Sequence, residues 1–556
     1  MCMDTRRRSF ALVCVLALAI TAALGLAGPA ASAAPGAPSI SWSSCNRDLG
    51  PFECGIVQVP LDYSDPSGAA ISIAVVRLPA ADPARRIGSL FINPGGPGGS
   101  GVDFALFAAP FLFSSEVRAK FDIVGFDPRG VARSTALRCF GTAKQWTPLF
   151  TPFAFPSNPE EEAVWQAADL YLDGACAQRG GKIIDHMATA DVARDLDALR
   201  AAVGDTRLTY AGYSYGTYLG VTYANLFPSR VRAVIVDGVL DPIAWSTGVG
   251  NEGTTIPFST RLHSDLGAQA TLNEFFRLCD AGVGCAFAPN SASRFAALGA
   301  RLRQGPITII DPSTGQAFEF NYSLLILQAL IGMYNSSSWP FLAAFFAALE
   351  ASASATQLGA SLNSLDESTG FITKRGFPNY RNNVEAFPAI ACSDSDNPDS
   401  YAAWSQQGAL ADQNDGYFGR IWTWISSICA KWPGSDEARY VGPFTRTTAN
   451  PVLVIGNQFD PATRYQGAVT VHGLLPNSAL LTVHGWGHTS LFLSACVDAA
   501  VSAYLLRVAV PASGTVCEQD VVPFAPTLAT RLGSRDASRA RARAALTPNA
   551  LAQPRD

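Results

Sequence analysis

The sequence predicts an α/β protein: a mostly parallel central sheet flanked by helices and interrupted by a large, mainly helical insertion. Three observations predict it. Across residues 56–236 short apolar runs alternate with helical patterns, the rhythm of repeated βαβ units. That rhythm stops over residues 240–440, which are rich in Ala, Phe, Leu and Trp. It resumes at Pro451-Val452-Leu453-Val454-Ile455-Gly456 and again at Ala479-Leu480-Leu481-Thr482-Val483.

The chain opens on a targeting segment. Arg6, Arg7 and Arg8 precede an apolar run over residues 10–26, and Ala31-Ser32-Ala33 is a small-residue cleavage site. Residues 1–33 therefore read as a signal peptide cut before Ala34. Thr21 and Gly25 interrupt the run and Gly28-Pro29 follows it, a poor pattern for a spanning helix of about 20 residues. No stable membrane span is expected after cleavage. Arg7-Arg8-Ser9-Phe10 resembles a twin-arginine pattern with Arg6 in place of the usual Ser or Thr, which leaves the export route open. Val13 is too large to precede a lipidated Cys14.

Export suits the cysteines. Without Cys2 and Cys14 ten remain, and an even count in an exported chain favours disulfides. Their order suggests sequential local pairs, Cys45–Cys54, Cys139–Cys176, Cys279–Cys285, Cys392–Cys429 and Cys496–Cys517, although sequence alone does not fix connectivity. With no C-x-x-C pair and no His at ligand spacing from a Cys pair, neither a metal site nor a cofactor is expected.

The first part of the core is expected over residues 34–240. Ser89-Leu90-Phe91-Ile92-Asn93 and Asp122-Ile123-Val124-Gly125-Phe126 read as buried strands ending in loops. Val192, Leu196, Leu199 and Val203 recur at helical spacing behind Asp191, whose charge suits the start of a helix. A strand over 208–211, a glycine-flanked turn, a helix to about Phe227 and a strand over 232–237 follow. Residues 241–445 form the insertion, a cap or lid, with helices over 324–333 and 341–349. The second part of the core spans 446–524 and ends in a helix over about 491–506. Residues 525–556, with Arg531, Arg535, Arg539, Arg541 and Arg543, read as a basic tail without fixed structure. The chain's 556 residues exceed one ordinary core, and its net charge of -5 gives no footprint for nucleic acid.

Gly212-Tyr213-Ser214-Tyr215-Gly216 carries the chemistry. A G-x-S-x-G element between a strand and a helix is a nucleophile elbow, a strained turn that exposes the Ser hydroxyl. That context points to the α/β-hydrolase fold, in which chain order runs Ser, acid, His. Among the histidines after Ser214, His263 falls in the insertion, His472 in a helical stretch, and His484 directly follows a strand. His488, in Gly485-Trp486-Gly487-His488-Thr489, occupies a loop after the last strand and is the candidate base, with His484 second. Asp460, after the preceding strand, is the candidate acid, and Asp237 its rival. Acyl transfer also needs donors for the oxyanion. The Tyr215 backbone N–H is one candidate, and Gly96, in Asn93-Pro94-Gly95-Gly96-Pro97-Gly98-Gly99, is the other. That glycine loop lacks the Gly-Lys-Ser/Thr ending of a phosphate-binding loop.

These motifs together resemble the actinobacterial secreted tripeptidyl aminopeptidases, α/β-hydrolase serine peptidases related to prolyl iminopeptidase. The resemblance rests on the glycine loop, on Asp127-Pro128-Arg129-Gly130 with Arg133-Ser134, on the elbow, and on the loops at Asp460 and His488. It covers roughly residues 42–524; prolyl iminopeptidases usually carry a His where Pro94 stands. The resemblance implies release of di- or tripeptides from free N-termini of peptides or proteins. A substrate ammonium needs a carboxylate partner, for which Asp394 is the first candidate and Glu385 the second, while Asp127 and Arg129 are expected to brace the fold. The competing readings are an exported carboxylesterase or lipase using the same triad, and a non-catalytic envelope protein that keeps the fold.

Overall fold

The computed structural model describes residues 39–45, 50–369, 382–414 and 416–525. The signal peptide and nearly all of the basic tail lie outside them. Twelve strands are present among the described residues: β1 (Ser43–Ser44), β2 (Glu53–Pro60), β3 (Ala70–Leu78), β4 (Gly88–Asn93), β5 (Phe121–Phe126), β6 (Leu208–Tyr213), β7 (Val231–Asp237), β8 (Ile307–Ile310), β9 (Ala317–Phe320), β10 (Val452–Phe459), β11 (Ser478–Trp486) and β12 (Val516–Glu518). Ten form one sheet in the order β1-β2-β3-β5-β4-β6-β7-β10-β11-β12. Pairing is parallel from β5 to β12 and antiparallel from β1 through β3 to β5.

Burial explains why the central strands read as unbroken apolar runs. Every residue of β4, β5 and β6 is buried, because helices cover both faces of the parallel sheet. Phe91, Val124, Tyr210, Val234 and Val454 belong to the core on one face; Leu90, Ile123, Ala211, Ile235 and Ile455 belong to the core on the other. The alternation is the strand period of two.

Among the described residues between β7 and β10, regular structure is helical apart from one short hairpin, β8 with β9. This insertion has its own core, in which Phe275, Phe295, Leu325, Trp339 and Phe346 are all buried. Ala462 and Trp486, from the loop after β10 and the end of β11, join that cluster, so the insertion is seated on the strand ends rather than tethered beside them. The hairpin was not expected, since four-residue strands leave little periodicity to read. The last helix also begins later than expected, at Ala495–Arg507, because Ser490 to Ser494 form turns.

The five disulfides pair the cysteines sequentially, as anticipated. Cys496–Cys517 ties that last helix to the edge strand β12. No helix among the described residues is long and apolar enough to cross a membrane.

Candidate active site

Sheet register gathers the site. Asn93 is paired with Gly212, Tyr213 with Asp237, Asp237 with Ile455, and Phe459 with Trp486. The segments leaving the carboxyl ends of β4, β6, β7, β10 and β11 therefore emerge side by side, where open α/β sheets form their crevices. Those segments carry the glycine loop, Ser214, Gly238, Asp460 and His488.

Ser214 sits between β6 and the helix Tyr215–Leu226 with φ 56° and ψ −129°, a conformation that L residues seldom adopt. Its N–H donates to the Asp237 carbonyl at 3.0 Å. The flanking glycines are required by space: a Cβ on Gly212 would stand 2.2 Å from the Gly216 carbonyl oxygen, and one on Gly216 2.8 Å from that of Asn93.

His488 and Asp460 are directly paired. The imidazole Nδ1–H donates to Asp460 Oδ1 at 2.9 Å and reaches Oδ2 at 3.0 Å, which leaves Nε2 as the lone-pair nitrogen. That Nε2 is buried and has no hydrogen-bond partner among the described residues. Asp460 also accepts the backbone N–H groups of Ala462 and Thr463 at 2.8 Å each, that of Thr489 at 3.0 Å, and the Thr463 hydroxyl at 2.9 Å. Burial alone would raise its pKa; the facing imidazole and these donors outweigh burial and hold it below the ordinary carboxylate value.

Asp237, the rival acid, does different work. Its carboxylate accepts the Ser490 N–H at 2.9 Å and the Ser490 hydroxyl at 2.7 Å, while its carbonyl holds Ser214. One residue thus ties the elbow to the loop of the base. At the next position, a Cβ on Gly238 would lie 3.5 Å from His488 Cε1, so the imidazole rests over the chain beside the elbow. Burial pushes the Asp237 carboxyl up to about 6.

The glycine loop crosses directly above the elbow. A Cβ on Gly95 would lie 2.5 Å from the Tyr213 carbonyl oxygen and 2.8 Å from Tyr215 N, and its φ of 93° excludes other residues without strain. Gly96, at φ 115°, follows at once. Tyr215 opens its helix, so its N–H has no carbonyl one turn back to bond. Tyr215 thus directly follows Ser214, and Gly96 directly follows the residue that touches the elbow.

The comparisons with known proteins agree with this geometry. Residues 88–313 match the family described as alpha/beta hydrolase fold, and residues 415–517 the family described as TAP-like protein. The tripeptidyl aminopeptidase of Streptomyces coelicolor is 29% identical, over 87% of each chain. Carboxylesterase B of Mycobacterium tuberculosis is 32% identical, over 88% of this chain and 92% of that one. Serine protease Hip1 of Mycobacterium tuberculosis is 31% identical, over 86% of this chain and 91% of that one. The chain belongs to the tripeptidyl aminopeptidase family.

In this family member Asp127 and Arg129 brace the fold, as expected. Arg129 is fully buried and donates to both oxygens of Asp195 at 2.7 Å, to Asp191 at 3.0 Å, and to the carbonyls of Pro60 and Leu61. Asp127 accepts Ser100 Oγ–H at 2.5 Å and the N–H groups of Val102 and Arg133.

Asp394 departs from expectation. It ends the helix Asn383–Asp394 pointing inward, 2% exposed, and its carboxylate accepts the Thr189 N–H at 2.7 Å, the Thr189 hydroxyl at 2.6 Å and the Trp245 indole N–H at 3.3 Å. The Thr189 hydroxyl also pairs with the Tyr215 hydroxyl, so Asp394 supports the elbow from beneath instead of facing a substrate amine. Burial pushes its carboxyl up to about 7. Glu385 is buried in the first turn of the same helix, and its neighbour Ala386 packs on the glycine loop: a Cβ on Gly98 would lie 2.8 Å from that of Ala386. Of the two acids, Glu385 is the one whose chain neighbour touches the glycine loop.

Two residues at the site had not been singled out. Thr463 follows Asp460 at the spacing of a turn in which an Asp accepts nearby N–H groups, a signal the sequence does carry. Tyr334, from the insertion, meets the imidazole edge-on with centroids 5.0 Å apart; nothing in the sequence links it to His488.

Proposed function

We infer that this protein is an exported serine aminopeptidase that releases short peptides, tripeptides foremost, from free N-termini. Ser214 attacks the scissile carbonyl while His488 Nε2 takes its proton. Asp460 holds the imidazole in the tautomer with Nδ1 protonated and stabilises its cationic form. The N–H groups of Gly96 and Tyr215 receive the oxyanion, and Glu385 takes the substrate ammonium. His488 returns the proton to the leaving amine, and water then releases the acyl group by the same route. The observation that carries this reading is the imidazole itself: buried, oriented by Asp460, with its second nitrogen unbonded among the described residues, in a loop that Asp237 ties to the strained Ser214. Five disulfides support an extracellular setting.

A second reading, a carboxylesterase, has the carboxylesterase B likeness in its favour. One experiment separates the two. A fluorophosphonate labels the protein, and Ser214→Ala abolishes labelling. Free-amine tripeptide anilides are cleaved, and N-acetylation removes nearly all of that activity, since a capped amine has no charge for Glu385. Retained activity on acetylated substrates, with faster turnover of acyl esters, would replace the peptidase by the esterase. Labelling that survives Ser214→Ala would end the assignment of the nucleophile.

A further inference from the structure

Among the polar atoms buried at the site with no partner among the described residues, two lie at the imidazole. One is His488 Nε2, which a base must keep open for the serine proton. The other is the hydroxyl of Tyr334, a side chain 5% exposed. Tyr334 lies at the end of the insertion helix Tyr322–Met333 and is fixed against the base without using its hydroxyl. Its carbonyl accepts the His488 N–H at 2.9 Å, Asn335 beside it pairs with Gly487, and its ring packs edge-on against the imidazole. Leaving a buried hydroxyl unbonded costs about 1–3 kcal/mol, and a phenylalanine would pack in the same place without that cost. Burial, with the Asp460 charge close by, keeps the phenol far above its ordinary pKa, so it stays a neutral O–H donor.

We propose that Tyr334 is a specificity-determining residue whose hydroxyl donates to the main-chain carbonyl of the first residue on the leaving side of the scissile bond. The side follows from the chemistry. The imidazole hands its proton to the leaving nitrogen, so groups packed on the imidazole border the departing chain, while the acyl oxygen faces Gly96 and Tyr215. A departing peptide offers a carbonyl there; the alcohol of a simple ester offers none. A buried donor left unpaired by the wrong substrate discriminates against it. The proposal rests on the peptidase reading above.

The test compares kcat/KM, which reports acylation while the leaving group is still attached, for the full protein and Tyr334→Phe. The substrates are a free-amine tripeptide 2-naphthylamide and the same tripeptide extended by two residues. The expected result is that the ratio of extended peptide to naphthylamide falls by about tenfold in the variant, the worth of one hydrogen bond in a buried site. A ratio that stays within about twofold, whatever happens to the two values together, overturns the proposal. The variant loses no bond within the chain, so it melts at or above the wild-type temperature; a clear drop would mean that the hydroxyl serves the fold instead. If the unmutated protein cleaves neither peptide yet hydrolyses acyl esters, the peptidase reading fails and takes this proposal with it.

Discussion

Replacing Asp460 by Asn probes the site most directly. The Asp460 carboxylate is an acceptor on every lone pair that the fold uses: His488 Nδ1–H, three backbone N–H groups and the Thr463 hydroxyl all point at it. The amide of Asn puts an NH2 donor where one of those oxygens stood. Facing backbone N–H groups that cannot turn, the amide keeps its oxygen on the two from Ala462 and Thr463 and puts its NH2 where Oδ2 stood, against the single Thr489 N–H and toward His488. The imidazole then accepts at Nδ1 and carries its proton on Nε2, so it cannot take the proton of Ser214. A wrong tautomer in this arrangement costs about 10⁴ in kcat, roughly 5.5 kcal/mol of barrier. Asp237→Asn touches only Ser490 and is expected to cost about tenfold or less. The assay is kcat at saturating tripeptide substrate together with the rate of fluorophosphonate labelling, each with a melting curve to show an intact fold. Asp460→Asn retaining activity within tenfold of wild type, or Asp237→Asn losing as much as Asp460→Asn, would refute the assignment of the acid.

Two further outcomes follow from buried groups. Asp173 is 5% exposed, neither of its oxygens has a partner among the described residues, and burial pushes it up to about 7. Because the folded value lies above the unfolded one, its cost is absent below about pH 4, grows as pH rises and is complete above about pH 7, where it reaches roughly 4 kcal/mol at most. Asp173→Asn should therefore raise the melting temperature at pH 8 and leave it nearly unchanged at pH 4; equal shifts at both pH values would count against it. Gly95→Ala forces a Cβ to within 2.5 Å of one backbone atom and 2.8 Å of another at φ 93°, so a kcat/KM loss of about a hundredfold is expected in steady-state assays, along with a melting temperature lower by a few degrees. Activity within tenfold would show that the loop need not cross where it does.

The sequence by itself determined the elements whose signal is local. Buried parallel strands are unbroken apolar runs, so β4, β5, β6, β7, β10 and β11 were legible, and the elbow announced itself through the two glycines that its close packing requires. The order of Ser214, Asp460 and His488 was readable because each leaves the carboxyl end of a recognisable strand. The antiparallel pair β2 and β3, the hairpin β8–β9 and the edge strand β12 were not singled out: β8, β9 and β12 are short and β2 is only half buried, so their patterns are weak, whereas β3 is long and mostly buried and its apolar run was not read as a strand. Only the tertiary structure decided what depends on direction and distance. Whether Asp394 turns toward substrate or toward Thr189, whether Asp237 holds the base or its loop, and that Tyr334 lies against His488 are set by packing between segments far apart along the chain. A residue's identity limits which bonds it can make; the fold alone supplies the partner.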